Sequence, residues 1–406
     1  MMRVLKRFRR SIGGACARTP LAACFAVICA GAYGTTLAQV NVSGQASTAV
    51  LKSRQAVSQY TFNKGRASFA WRADLFFDAE IAENILFLSN VRLAQDEDLH
   101  VDLFTIRFTE LAGPSLNAEA GLIDVPFGNI GERRFPRTNP FISLPLGREH
   151  ITTLRASDYE LWMSDSRYTA AGNGVRLIDG ALYDAGLKVF GTVGILDYAV
   201  AVTNGMVSST GSYAPGGLND NHGLGKAARV ALTPVTGFTI GLSAARGPFM
   251  AEGASSYYGT TYAGGRDASI HVQEIAGLDL EYGYGYFTFY GEGFLNRWEF
   301  SDEYGEDLEA AGFSAELRFV PAARFSLAAR VGAISFNELP GEGDPGYYGT
   351  IPGTPWDRDI LRIEGAVGYR ISRQVLVKGV YQHVNTVGLN DDPADDTAAL
   401  QIVASF

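Results

Sequence analysis

Alternation between apolar and polar residues, repeated in stretches of about ten, limits the folds that this chain can form. It is clearest in the last ten residues, 397–406 (TAALQIVASF). In an extended strand, one face of this segment carries only Ala398, Leu400, Ile402, Ala404 and Phe406. A soluble domain that ended on such an apolar, unpaired edge would invite aggregation. A closed barrel in a membrane pairs its last strand with its first, so this ending predicts a transmembrane barrel.

A second stretch, 66–78 (RASFAWRADLFFD), alternates just as strictly. Phe69, Trp71 and Leu75 fall on one face, and Arg72 and Asp74 fall on the other. In a soluble sandwich the apolar face would point to a core, whereas in a membrane barrel it would point to lipid and the charged face would line the lumen. One strand cannot decide between these arrangements, but the lengths of the connections can.

Sixteen segments of this kind follow one another along the chain. They span 40–51, 66–78, 84–94, 99–110, 115–125, 182–192, 195–204, 226–233, 238–247, 270–282, 285–297, 309–319, 325–336, 360–370, 375–387 and 397–406. Short and long connections alternate between them, with only 95–98 departing from the rule. Bacterial barrels combine short periplasmic turns, long outer loops and an even number of strands. The chain is therefore predicted to be an all-β, antiparallel transmembrane barrel of sixteen strands.

The strand number depends on one ambiguous segment, 174–180 (GVRLIDG). If it forms a strand of its own, the total changes to fourteen or eighteen, because the count must stay even.

The first 38 residues have a different character. Six basic residues and no acidic one are followed by an apolar run, 21–32, and by Thr36-Leu37-Ala38, which has small residues at the positions that a signal peptidase requires. The run is shorter than the roughly 20 residues of a membrane-spanning helix. We predict a cleaved signal peptide over 1–38, a single barrel domain over 39–406, and a location in the outer membrane.

Charge and cysteine content exclude several classes of function. All three cysteines lie in the predicted signal, and without the six basic residues of that segment 28 Lys and Arg face 43 Asp and Glu. The mature chain is thus acidic, so we expect no nucleic-acid partner and no thiolate metal site. The five histidines are scattered and no nucleophile motif is present. We therefore expect no metal, no cofactor and no enzymatic activity, although a hydrolase with a dyad at the barrel rim would leave little trace in the sequence.

Several short sequence segments resemble the phosphate-selective porin O and P superfamily of outer-membrane porins. They are 120–128 (AGLIDVPFG), 196–205 (LDYAVAVTNG), 225–237 and 376–382 (LVKGVYQ). A terminal strand that ends on Phe406 also resembles the C-terminal assembly signature of bacterial outer-membrane barrels. The resemblance implies a porin that assembles as a homotrimer, contacts membrane lipid and lipopolysaccharide, and is recognised by the outer-membrane assembly machinery through its last strand.

If the apolar faces point to lipid, the opposite faces line the pore. The basic candidates are Arg66, Arg72, Arg92, Arg107, Lys188, Arg229, Arg318, Arg330, Arg362, Arg370 and Lys378, and the acidic ones are Asp74, Asp78, Glu119, Asp197, Asp279, Glu281, Glu292, Glu316 and Glu364. This mixed wall predicts either a transverse field across the lumen or a set of ion pairs along its surface.

The third long connection, 126–181, is much longer than most loops in a compact fold, so we expect it to have a structural or functional role. We expect it to fold inward and to narrow the pore with Arg133, Arg134, Arg137, Arg148 and Arg155. Rings of basic residues select anions, so the sequence predicts a passive diffusion porin for small hydrophilic solutes with a weak anion preference. A non-channel barrel for adhesion or binding is the main alternative.

Overall fold

The computed structural model describes residues 40–54, 67–95, 99–152, 154, 175–180, 182–208, 223–249, 271–299, 307–338, 355–387 and 395–406. The predicted signal peptide, Arg66 and Arg155 lie outside these residues.

Seventeen strands account for most of the described chain. They are β1 Val40–Ser53, β2 Ala67–Ala82, β3 Ile85–Ala94, β4 His100–Phe108, β5 Leu111–Pro114, β6 Asn117–Asp124, β7 Tyr183–Val193, β8 Leu196–Thr203, β9 Gly225–Val235, β10 Phe238–Pro248, β11 Val272–Tyr284, β12 Phe287–Trp298, β13 Leu308–Ala322, β14 Phe325–Phe336, β15 Asp359–Arg370, β16 Val375–Val387 and β17 Asp395–Ser405. Only two short helical turns are described, a 3₁₀ turn at Gly131–Arg134 and an α-helical turn at Leu146–Glu149. None of the described helices is both long and apolar enough to span a membrane.

Sixteen of the strands form one closed barrel, and every neighbouring pair is antiparallel. β17 closes the ring against β1, with Gln45 opposite Ser405 and Ser53 opposite Thr397. β5 is a four-residue strand within the turn between β4 and β6 and is not part of the ring. The prediction of an all-β barrel with sixteen strands is confirmed. Residues 175–180 contribute only an isolated bridge, Ile151 with Arg176, so they add no strand to the ring.

Tight turns join the strands at the barrel end that carries both Val40 and Phe406. Gly194 and Gly285 adopt φ angles of +62° and +58°, which glycine reaches without the steric cost that a Cβ brings. Each lies in a two-residue connection, between the pairs Val193–Leu196 and Tyr284–Phe287. We call this end the short-turn end. In bacterial barrels it faces the periplasm.

The two faces of the barrel wall differ as the alternation predicts. Large apolar side chains point outward and are exposed, among them Phe69 (68%) and Leu295 (65%). Charged side chains point inward and are buried, including Asp74, Asp279 and Glu364. Since burying one large apolar side chain is worth about 1.5–3 kcal/mol, an outward band of them favours hydrocarbon over water. The surface is therefore that of a membrane-embedded barrel.

The connection between β6 and β7 folds into the barrel, as the sequence predicts. Its described residues pack apolar side chains against inward-facing aromatic residues of the wall in one buried cluster. This cluster includes Phe127, Leu146, Leu154, Leu177 and Ile178 from the connection and Phe294, Trp298 and Phe336 from the strands. We call the described part of this connection, from Val125 to Leu182, the inner loop.

Candidate pore and its constriction loop

The inner loop is held to the barrel wall by buried ion pairs between its own residues and residues of the strands. Arg148 is fully buried, and its guanidinium binds Glu292 of β12, with 3.1 Å between Nε and Oε2. Arg362 of β15 reaches Glu149 of the inner loop at 2.8 Å and also donates to the carbonyl of Leu144. Removing one member of a buried pair leaves an uncompensated charge and typically costs 3–5 kcal/mol. These pairs therefore fix where the inner loop sits in the lumen.

A second anchor is centred on Ser143. Arg330 of β14 donates to the Ser143 carbonyl at 2.9 Å, and the Ser143 hydroxyl donates to Glu364 of β15. Glu364 in turn binds Arg330 at 2.6 Å and Arg362 at 3.2 Å. All of these groups are at most 3% exposed. One loop residue is thus tied into a charge network that spans two adjacent strands.

The third anchor uses a lysine and no carboxylate. The Nζ atom of Lys378 in β16 donates to the carbonyls of Pro136, Asn139 and Phe141, at 2.8, 2.9 and 3.2 Å. These acceptors satisfy all three donors of the ammonium group.

The predicted constriction arginines lie in different surroundings. Arg133 stacks on Tyr290, 3.8 Å from the ring centroid, and is 3.6 Å from Glu316. Arg134 is buried and paired with Asp124 at 2.9 Å. Arg137 donates from its guanidinium to the carbonyl of Arg373 in the turn between β15 and β16, at 3.1 Å. Arg148 does not face open solvent, because its side chain is fully buried, and it acts as a tether of the inner loop.

Most of the predicted pore-lining cations form ion pairs along the wall. These pairs join Arg72 to Asp74 (2.7 Å), Arg92 to Asp102 (3.0 Å), Lys188 to Glu119 (2.7 Å) and Arg229 to Asp279 (2.6 Å), and Arg107 also binds Glu119. Over these strands the wall follows the second of the two arrangements that the sequence allows, in which charges pair along the surface.

Asp102 is a lumen residue that the alternation missed. The inward face of β4 carries Arg107 and Thr105. By strict alternation Asp102 would lie on the opposite, outward face of the strand. The register between β3 and β4 shifts after Asn90, where Leu103 and Val101 face consecutive residues of β3 and Asp102 is left without a partner across the ladder. This bulge turns the Asp102 side chain inward against Arg92. Periodicity alone cannot reveal such an insertion, and the only signal is an isolated acid between two apolar residues.

A cavity of about 350 Å³ lies on one side of the inner loop, between the loop and β6–β9. Three cations border it, namely Arg134, Lys188 and Arg229, and each is bonded to a carboxylate of the wall. We call it the paired cavity. Within the described ranges no three His, Cys, Asp or Glu side chains are grouped in a way that could hold a metal ion.

Comparisons with known proteins bear on the fold. No protein-family model matches the chain, and no curated protein sequence matches it. Among solved structures, an anion-selective porin from Comamonas acidovorans superposes with a TM-score of 0.59 at 10% identity, covering 91% of this chain and 100% of the porin. The barrel has the fold of the outer-membrane porins. Two further structures extend that likeness.

The trimer form of OmpT, an outer membrane protein of Vibrio cholerae, gives a TM-score of 0.55 at 10% identity and covers 91% of this chain and 99% of its own. The outer membrane channel DcaP of Acinetobacter baumannii gives 0.55 at 8% identity, with coverages of 91% and 97%. Identities this low establish the porin fold and nothing finer. The resemblance to the phosphate-selective porin O and P superfamily is not confirmed by them and stays a prediction.

Proposed function

We propose that this protein is an outer-membrane porin, a passive channel for small hydrophilic solutes with a weak preference for anions. The observation that carries the proposal is the combination of an outward apolar surface with an inward charged wall, into which one long loop is folded. Such an arrangement keeps a water-filled path inside a membrane and narrows it at the loop. The porin fold of the solved structures and the predicted signal peptide support the outer-membrane location.

The test is electrical. Purified protein reconstituted in a planar bilayer should give discrete conductance steps, and a KCl gradient should give a reversal potential on the side that indicates anion preference. Replacing Arg133, Arg134 and Arg137 together by Ala should move that potential toward cations, because three positive charges are removed from the loop. Protein that inserts and folds but never conducts would contradict the proposal.

One observation favours a second candidate, a barrel that binds or adheres without conducting. The inner loop and the wall share a large buried apolar cluster with Trp298 and Trp356, whose ring centroids are 5.6 Å apart. Such packing occupies lumen that water would otherwise fill. The same bilayer experiment separates the two candidates, since a closed barrel gives no conductance steps.

Two subordinate proposals accompany the channel. We infer that the porin assembles as a homotrimer, for which the trimer form of OmpT, a protein of the same fold, gives support by analogy. Native mass spectrometry in detergent would reveal a monomer if this is wrong. We also infer that the barrel catalyses nothing. A screen with lipase and peptidase substrates would expose any turnover.

A further inference from the structure

A second recess lies on the short-turn side of the inner loop, against strands β13–β16. Five of its lining residues are cationic: Arg137 from the inner loop, Arg318 from β13, Arg324 from the turn before β14, Arg370 from β15 and Lys378 from β16. No Asp or Glu is among the described residues that line it. We call it the cationic recess.

Three of these cations have no bonded partner within the described part of the chain. Arg318 forms no ion pair there, and its Nε atom is buried without a hydrogen-bond acceptor. Arg370 and Arg324 are joined through their main chains, at 2.8 Å, and both residues are exposed. A buried N–H that lacks an acceptor is rare in folded proteins and points to a missing ligand or water.

The other two cations donate only to main-chain carbonyls. Lys378 donates to three carbonyls of the inner loop, and Arg137 donates to the carbonyl of Arg373. A carbonyl accepts a hydrogen bond but carries no net charge. Four guanidinium groups, which stay charged at any physiological pH, and the amine of Lys378 therefore border one recess that has no carboxylate among its described lining residues.

The contrast with the next level of the same strands shows that this imbalance is local. Two residues before Arg318, Glu316 lies 3.6 Å from Arg330, and Glu364 binds both Arg330 and Arg362. Arg330 and Arg362, which lie further from the short-turn end, thus have carboxylate partners, whereas the described residues give the cations of the recess none. A ligand that supplied negative charge would balance the guanidinium groups of the recess and accept the N–H of Arg318 Nε.

We propose that the cationic recess binds a small inorganic anion of about the size of chloride. The free volume of the recess is about 30 Å³, which is room for one or two water molecules and therefore for a single halide ion. This inference rests on the proposed channel for its physiological meaning, because the recess lies in the lumen at the short-turn end. The cations of the recess would raise the local concentration of exchanging anions at one mouth of the pore.

Direct binding can be measured without any current. Broadening of the ³⁵Cl NMR line should reveal chloride that exchanges on the detergent-solubilised full barrel. In crystals soaked in bromide, anomalous density should appear between Arg318 and Arg370. Arg318→Gln should weaken binding by about tenfold or more, as expected for loss of a charge-assisted hydrogen bond. Broadening that is unchanged in this variant, or bromide found elsewhere only, would overturn the proposal.

A second variant and a matched control keep the test decisive. Arg324→Gln with Arg370→Gln changes two exposed residues, so it retains the fold even if Arg318→Gln does not, and it should also weaken chloride binding. Arg373→Gln removes the same charge from the neighbouring turn without touching the lining of the recess and should bind as the unaltered protein does. Heat-modifiable migration in SDS gels verifies that each variant is a folded barrel.

The same preparations separate this proposal from the proposed function. If the protein conducts but chloride does not bind in the recess, the anion site is refuted and the channel stands. If chloride binds in the recess but no conductance appears, the channel is refuted and the site stands.

Discussion

The paired cavity and the cationic recess lie on different sectors of the same lumen. They differ in whether their cations are bonded to carboxylates. In the paired cavity, Lys188 and Arg229 are bonded to Glu119 and Asp279 at 2.7 and 2.6 Å. In the cationic recess, Lys378 meets carbonyls and Arg318 meets no acceptor among the described residues. The number of arginines on a wall therefore says little about the field that a solute meets, because a paired arginine contributes mainly a dipole and an unpaired one contributes a net charge.

If paired charges hold the inner loop in place, breaking a buried pair should have the largest effect of any substitution considered. Glu364→Gln would leave Arg330 and Arg362 with one carboxylate fewer in a buried network. We expect a loss of about 3–5 kcal/mol in unfolding free energy, because breaking a buried pair leaves a charge uncompensated. Thermal unfolding followed by heat-modifiable gel migration would measure it.

The matched control for that variant is Glu80→Gln, which removes an exposed carboxylate at the short-turn end of β2. Its expected effect is within about 0.5 kcal/mol, as for most surface substitutions. Equal unfolding temperatures for the two variants would show that the buried network does not hold the inner loop.

Arg229→Gln with Asp279→Asn removes a complete ion pair from the wall of the paired cavity and should leave the reversal potential nearly unchanged, since no net charge is lost. Arg324→Gln with Arg370→Gln removes two net charges from the cationic recess and should lower the preference for anions. Reversal potentials in the same KCl gradient would compare them, and equal shifts would mean that pairing does not decide which cations solutes meet.

The smallest expected effect is the dependence of selectivity on salt. Arg324 and Arg370 are exposed, and the Debye length falls from about 10 Å at 0.1 M salt to about 3 Å at 1 M. The anion preference of the unaltered protein should therefore decline as both KCl solutions are made more concentrated at a fixed ratio. A preference that stays constant across that range would locate the selecting charges in a part of the lumen that salt does not reach.

The sequence was sufficient for the barrel because its signals are local. Strict alternation assigns each residue of β2 or β17 to one face, and glycine at positions such as Gly194 and Gly285 permits the tight turns between strands. The length of the segment after β6 likewise indicated a loop with a structural role. These features need no knowledge of which strands meet across the lumen.

What only the tertiary structure decided is which charge meets which partner. Arg148 and Glu292 are 144 residues apart, and Lys378 and Pro136 are 242 residues apart, so no local pattern links them. Alternation predicts that a side chain points inward. The distance to its partner, however, depends on the stagger of the strands, on the bulge at Asp102 and on the path of the inner loop. The sequence by itself therefore determined the wall and its two faces, whereas the folded barrel decided which cations are neutralised and which are left to bind an anion.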